Sequence, residues 1–525
     1  MPHPSVTAET YPHKPAIIMG GSGEITTYRE LDERSNQGAQ LFRSLGLQAG
    51  DHIALMLENN ARFHEICWAA QRSGITYTPI STHLKREETA YILENCEAKL
   101  FIGSLALAET AESVLPEAEG VKHFFMVGGI RPGFESWEEA VDRQPSEPIA
   151  DQSYGVAMLY SSGTTGKPKG VYVPPPAEDY LTDNPLAGSI GSAFGFSEET
   201  VYLSPAPLYH AAPLHYSMMT MSLGGTCVVM EKFDPEQALA LIQEHRVTHS
   251  QWVPIMFVRM LKLPEEVRHK YDTSSLQIAI HAAAPCPIEV KEQMIEWWGE
   301  ILMEYYAASE GIGFTIIDSS SWLQHKGSVG PALIGELHVL DDEGNELPPG
   351  EVGTVYFAPG GVLSDHSPSF SYHKEPGKTS EAYNDRGWAT TGDIGYVDEE
   401  GFLYLTDRKN FMIISGGVNI YPQEIENLLI THPKVADVAV FGIPNEEFGE
   451  EVKAVVEPAN WADATDEVAF ELIEWMRDRL SHIKVPRSLD FNEKLPRMDN
   501  GKLYKRHLME EYRGGARDEP GGEGR

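Results

Sequence analysis

Cysteine is scarce in this sequence. Its four residues, Cys67, Cys96, Cys227 and Cys286, lie far apart in 525 positions and never at CxxC spacing, which excludes a disulfide framework or a thiolate zinc site as the organising device. A reducing cytoplasm suits such usage. Basic residues are outnumbered, 41 Lys and Arg against 78 Asp and Glu, for a formal net charge of -37. That surplus disfavours nonspecific binding to nucleic acid or to an anionic membrane surface. Long apolar runs are missing as well: none reaches the ~18 residues of a membrane-spanning helix. The opening MPHPSVTAETYPHKP lacks the basic-then-apolar pattern of an export signal, and no internal repeat is visible.

What is present is 42% hydrophobic and 23% charged residues in short punctuated runs, the balance of a soluble globular protein. At 525 residues the chain exceeds one ordinary domain. Strand-like runs alternate with amphipathic helical stretches from residue 14 to 101: a hairpin (15–19 and 24–28), a helix (28–45), a strand (52–57), a helix (61–73) and a strand (77–80). This alternation predicts an α/β fold with parallel pairing, and the texture resumes from 154, at 201–230 and at 276–283. Gly20, Gly21 and Gly23 have the wrong spacing for a dinucleotide loop and read as the hairpin turn. Short alternating strands with DEG and EEG turns at 342–344 and 399–401 predict antiparallel hairpins, a small β subdomain at about 335–405. A final α/β unit runs from about 411 to 509, with helices at 422–430 and 462–480. The tail, 513–525, has too little apolar content to fold.

The strongest local signal is YSSGTTGKPKGV at 160–171, directly behind the apolar VAML run. Three glycines let backbone approach an anion closely, Ser161, Ser162, Thr164 and Thr165 can donate to phosphate oxygens, and Lys167 and Lys169 add charge. It reads as a polyphosphate cradle for a nucleotide such as ATP. Walker A is excluded, because Gly166 and Lys167 are followed by Pro168. Within so acidic a chain these few cations must matter. The segment PPPAEDYLTDNP (174–185) breaks periodicity, a loop that covers the cradle or offers a contact surface.

This loop resembles the AMP-binding signature of the adenylate-forming superfamily, whose members include acyl-CoA synthetases, nonribosomal peptide adenylation domains and beetle luciferases. Further segments match in the family's order: EYYAASEG at 304–311, TGDIG at 391–395, DRKNFMIISGGVNIYPQEIE at 407–426 and LPRMDNGKLYKR at 495–506. The resemblance covers nearly the whole chain. It implies a large N-terminal domain (1–407) of α/β subdomains plus the β subdomain, then a small mobile C-terminal α+β domain (408–512). It also implies that ATP and a carboxylic acid give an acyl adenylate and pyrophosphate.

Residue roles come from the same resemblance. Glu310 matches the Mg2+ ligand; alone it reads as a solvated helix-end carboxylate. Tyr306 is similar to the adenine-stacking aromatic, with Ala307 and Ser309 beside it, and Ala283 lies in the AAAP loop (282–285) around the nucleotide. Asp393 matches the ribose acceptor, though a lone Asp there is a turn former, and Arg408 the contact to ribose and phosphate, otherwise a surface ion pair. The residues Gly163 and Gly166 complete the cradle. Lys502 matches the adenylation lysine. Carboxylate attack on phosphate brings two anions together, and an ammonium ~4 Å away contributes on the order of 4 kcal/mol at an effective dielectric of ~20. His210 resembles the ring at the mouth of the acyl pocket, where Ala211, Ala212 and Ala308 leave room for a bulky acyl group.

For the second half-reaction, Ser415, Gly416 and Gly417 match the turn that admits the pantetheine thiol of CoA. Asn410 stands at the family's pivot, though Asn410 and Phe411 replace the Asp or Lys and the following Asp of many relatives. No carrier domain follows Lys502, so a free-standing acyl-CoA synthetase of the fatty-acid or steroid-side-chain kind is expected. The alternatives are an acyl-AMP ligase loading a separate carrier protein and an inactive nucleotide sensor. No nucleic acid partner and no membrane span are expected; a homodimer is admitted.

Overall fold

The computed structural model describes residues 3–161, 168–174, 190–361, 370–408, 411–445, 447–497 and 503–514. Local sequence sets the first elements as predicted. The strands Pro15–Met19 and Ile25–Thr27 form the hairpin, and Thr27 with Glu30 builds a capping box on the helix Tyr28–Ser44. The buried Tyr28 Oη lies 2.9 and 2.6 Å from the carbonyl oxygens of Met221 and Gly225, which ties this helix to the sheet beneath it.

That sheet has twelve strands. Pro15–Met19, Thr226–Val229, Val201–Ser204, His249–Trp252, Ile278–His281 and Leu302–Ala307 pair in parallel, in that order. Thr226–Val229 and His249–Trp252 are buried at every position, as a parallel strand covered on both faces must be. The sheet then continues antiparallel through Phe314–Asp318, Ala332–Leu340, Gly353–Gly361, Asp393–Val397 and Leu403–Arg408. The expected antiparallel hairpins therefore extend the parallel sheet instead of closing on themselves. The first of the two predicted turns closes only a short bridge, Leu340 to Glu346. The ladder partner of Ala332–Leu340 begins at Gly353, because Pro348 and Pro349 have no N–H to donate.

A second, parallel sheet holds Thr76–Pro79, His52–Met56, Ala98–Ser104, His123–Val127 and Glu135–Ser136. Between the two runs a small antiparallel ribbon of Ser371–Tyr372, Lys169–Tyr172 and Leu159–Ser161. The Met158 N–H donates to the Tyr77 carbonyl at 2.9 Å, so the ribbon is stitched to the five-stranded sheet.

The small C-terminal domain is a five-stranded sheet, Val418–Ile420, Ile413–Ser415, Gly449–Pro458 and Val435–Asn445, with Ser488–Phe491 paired to Gly449–Pro458. Helices Pro422–Leu429 and Asp466–Arg477 pack on it. The second starts later than the predicted 462 because the Thr465 side chain caps the Val468 N–H, leaving Trp461–Asp463 as a separate 3-10 turn. Lys262 of the large domain donates to the carbonyls of Ile430, at 3.3 Å, and of Val435. Burial there brings its pKa down to about 8. The Gln423 N–H donates to Asp407 Oδ2 at 3.1 Å. The fold is thus mixed α/β, with a large N-terminal and a small C-terminal domain. Among the described residues no helix is long and apolar enough to cross a membrane, and all four cysteines are free thiols. Asn410, most of the expected cover loop and the tail from 515 lie outside the described residues.

Candidate active site

The anion cradle hangs from a hairpin. Leu159–Ser161 and Lys169–Tyr172 pair antiparallel, with Tyr160 opposite Gly170 and Ser161 opposite Lys169. Gly170 leaves space for its neighbour there: a Cβ would stand 3.0 Å from the Tyr160 ring. Tyr160 itself is anchored by its hydroxyl to Asn95 Oδ1 at 2.5 Å. Ser162, Gly163, Thr164, Thr165, Gly166 and Lys167 lie outside the described residues, so only the flanks, Ser161 and Lys169, can be placed.

Lys169 is where the flank meets the next candidate. Its Nζ sits 4.5 Å from the centre of the Tyr372 ring, a cation over a π face. The Tyr372 hydroxyl in turn donates to Glu310 Oε1 at 2.9 Å. Glu310 is 8% exposed, so its carboxylate is held by a fixed donor beside a cation. Tyr372 was not identified from sequence. It follows no motif, and only the pairing of Ser371–Tyr372 with Lys169–Tyr172 brings it here.

The strand Leu302–Ala307, which ends three residues before Glu310, presents the second group. The Tyr306 hydroxyl donates to Asp393 Oδ2 at 2.6 Å, and Thr391 Oγ1 donates to the same oxygen at 2.7 Å. Asp393, 8% exposed, opens the strand Asp393–Val397, and its backbone is in register with Arg408. Thr391 belonged to the TGDIG motif and was legible, but had been given no role. The Tyr306 ring lies against Phe357 at 6.1 Å, and Gly313 leaves no room behind Phe357: a Cβ there would be 2.0 Å from the ring. Ala307 and Ser309 are exposed beside this wall, as is Ala283. Ala283 has φ +75, a left-handed conformation costly for a residue with a Cβ.

His210 caps the start of the helix Ala211–Ser222 with extended backbone and packs its ring 4.4 Å from Tyr209. Ala211 and Ala212 pack against the cluster containing Tyr216, Phe194 and Phe314. Tyr305 and Phe314 stack there at 5.0 Å. Ala308 belongs to a different cluster, with Tyr306 and Phe357. The three alanines expected to line one pocket are therefore divided between the two faces of the strand that carries Tyr305 and Tyr306.

On the small domain Ser415 is buried while Gly416 and Gly417 are exposed, with φ +58 and +80. The Gly416 N–H donates to the Phe448 carbonyl at 2.8 Å. Lys502 lies outside the described residues. Among the described residues Arg497 and Leu503 form a bridge, Arg497 pairs with Asp437, and Lys505 Nζ lies 2.7 Å from Glu426. Among the described residues no cluster of three or more His, Cys, Asp or Glu could cage a metal.

Comparison with known proteins gives the following. The family model for the AMP-binding enzyme matches residues 5–364, and that for the AMP-binding enzyme C-terminal domain matches 424–502. A feruloyl-CoA synthase of Amycolatopsis sp is 30% identical, over 96% of this chain and 97% of its own. The long-chain-fatty-acid–CoA ligase FadD13 of Mycobacterium tuberculosis is also 30% identical, over 96% and 97%. Among solved structures, ATP-bound MatB from Rhodopseudomonas palustris superposes with a TM-score of 0.78 at 26% identity, covering 98% of this chain and 99% of that one.

Proposed function

This chain belongs to the AMP-binding enzyme family and is an ATP-dependent acyl-CoA ligase, and from that premise we propose how its residues divide the work. Acid and ATP give acyl adenylate and pyrophosphate; CoA then takes the acyl group and releases AMP. Tyr306, Thr391 and Asp393 bind the nucleoside, with Ala283, Ala307 and Ser309 around it and Arg408 at ribose and phosphate. The cradle from Ser161 to Lys169 steadies the pyrophosphate, and Lys502 orients carboxylate against α-phosphate. Ser415, Gly416 and Gly417 admit the thiol, and His210 stands at the acyl mouth.

The observation that carries this reading is the Lys169–Tyr372–Glu310 chain, which puts a cradle cation and a buried carboxylate on one tyrosine. Mg2+ takes one or two protein carboxylates together with substrate phosphates, so Glu310 fits as its holder, and the ion would supply charge neutralisation on the phosphates. The acid we assign is bulky and apolar, before acetate, because the residues after His210 are the small Ala211 and Ala212, packed against the cluster that holds Tyr216, Tyr305 and Phe314. Four free thiols support a cytoplasmic site, and a homodimer is the assembly to test by light scattering. ATP–pyrophosphate exchange over a panel of acetate, medium-chain, aryl and steroid acids tests the whole reading. Exchange is expected with the bulky acids, followed by CoA thioester; silence with every acid would overturn it.

A further inference from the structure

Behind the Tyr306 wall lies a buried charge cluster that the proposed chemistry leaves unused. Lys291, on the helix Ile288–Trp298, has no exposed surface, and its Nζ stands 2.6 Å from Glu304 Oε2. Glu304 precedes Tyr306 by two residues on one strand and so shares its face. The neighbouring strand ends at His281, in register with Glu304. His281 Nε2 is 3.7 Å from that carboxylate, and neither ring nitrogen has a hydrogen-bond partner. Phe257 and Trp322 enclose the group, at 5.4 Å from His281 and 4.7 Å from Lys291. Burial raises the Glu304 pKa against the pull of Lys291, and lowers that of His281.

A buried ion pair is a poor stabiliser, since apolar residues of similar volume often pack as well or better. Its location suggests another use. His281 leads directly into Ala282 and Ala283, and the chain then enters the helix that carries Lys291. Strand, loop, helix and the Lys291–Glu304 contact thus close a ring, which the loop through Ala283 completes. That loop contains the φ +75 residue, a conformation that persists only where the surroundings over-determine it.

We propose that Lys291 is a positioning residue for the nucleotide: by clamping its helix onto Glu304 it fixes the Ala283 loop opposite Tyr306, an inference that rests on assigning that wall to ATP. The test is steady-state kinetics of Lys291→Met, Lys291→Met/Glu304→Gln and Asp393→Asn, with thermal unfolding of each. Lys291→Met is expected to raise the KM for ATP about tenfold, the loss of a modest misplacement, with kcat and the KM for acid near wild type, and to lower Tm. The double variant removes the unpaired buried carboxylate, so Tm recovers in part while the KM for ATP stays high. Recovery of both together, or a Tm change with no change in KM, would overturn the inference. If Asp393→Asn also leaves the KM for ATP unchanged, the wall itself has been misassigned; if only Asp393→Asn raises it, the clamp alone fails.

Discussion

On the large domain the residues assigned to the nucleotide stand on or beside strands and brace one another: Tyr306 and Thr391 converge on a single oxygen of Asp393, and Tyr372 holds Glu310. On the small domain the turn assigned to the thiol joins two three-residue strands, and its neighbours Ile414 and Val418 are 51% and 42% exposed. The described residues assigned to the first half-reaction thus hold one another in place without substrate. The turn assigned to the second is left exposed. The role proposed for Lys502 crosses the division, since the residue follows the small domain's strands in sequence yet is assigned to the first half-reaction.

The sharpest way to break this contrast is Lys502→Ala. Adenylation should fall roughly a thousandfold while supplied acyl adenylate and CoA still give thioester; equal loss in both assays would place Lys502 outside the first half-reaction. Glu310→Gln should cut pyrophosphate exchange about a hundredfold, ~2.7 kcal/mol, and raise the Mg2+ concentration needed for half-maximal rate. An unchanged Mg2+ requirement would remove it from the ion. Asp393→Asn weakens a charge-assisted acceptor, so the KM for ATP should rise about tenfold with thioester formation from supplied adenylate little altered. Tyr372→Phe is the gentlest: one hydrogen bond of about 1 kcal/mol is lost, and exchange should slow about fivefold without loss of Tm. If that variant harms thioester formation instead, the large domain's site is not confined to the first half-reaction.

Much of this was legible in sequence because it is local or motif-borne. The hairpin at 15–27 and the ThrGlyAsp turn each rest on neighbouring residues. Tyr372 and the Lys291–Glu304 pair were not legible, since their partners lie 62 and 13 residues away and come together only through strand pairing and helix packing. The helix expected from 462 was misjudged because apolar periodicity does not mark a cap, whereas the Thr465 hydroxyl does. Small size alone led to the grouping of Ala308 with Ala211 and Ala212; which face of a strand a residue takes had to be seen.

The union of parallel and antiparallel strands in one sheet also has a mechanical side. From Pro15 to Arg408 a continuous ladder of transverse hydrogen bonds joins the strands of the large domain's main sheet, so that a load applied at one strand spreads across its neighbours instead of opening a seam. The Lys262 hydrogen bonds to the carbonyls of Ile430 and Val435 lie off that ladder, and any displacement of the small domain has to break them.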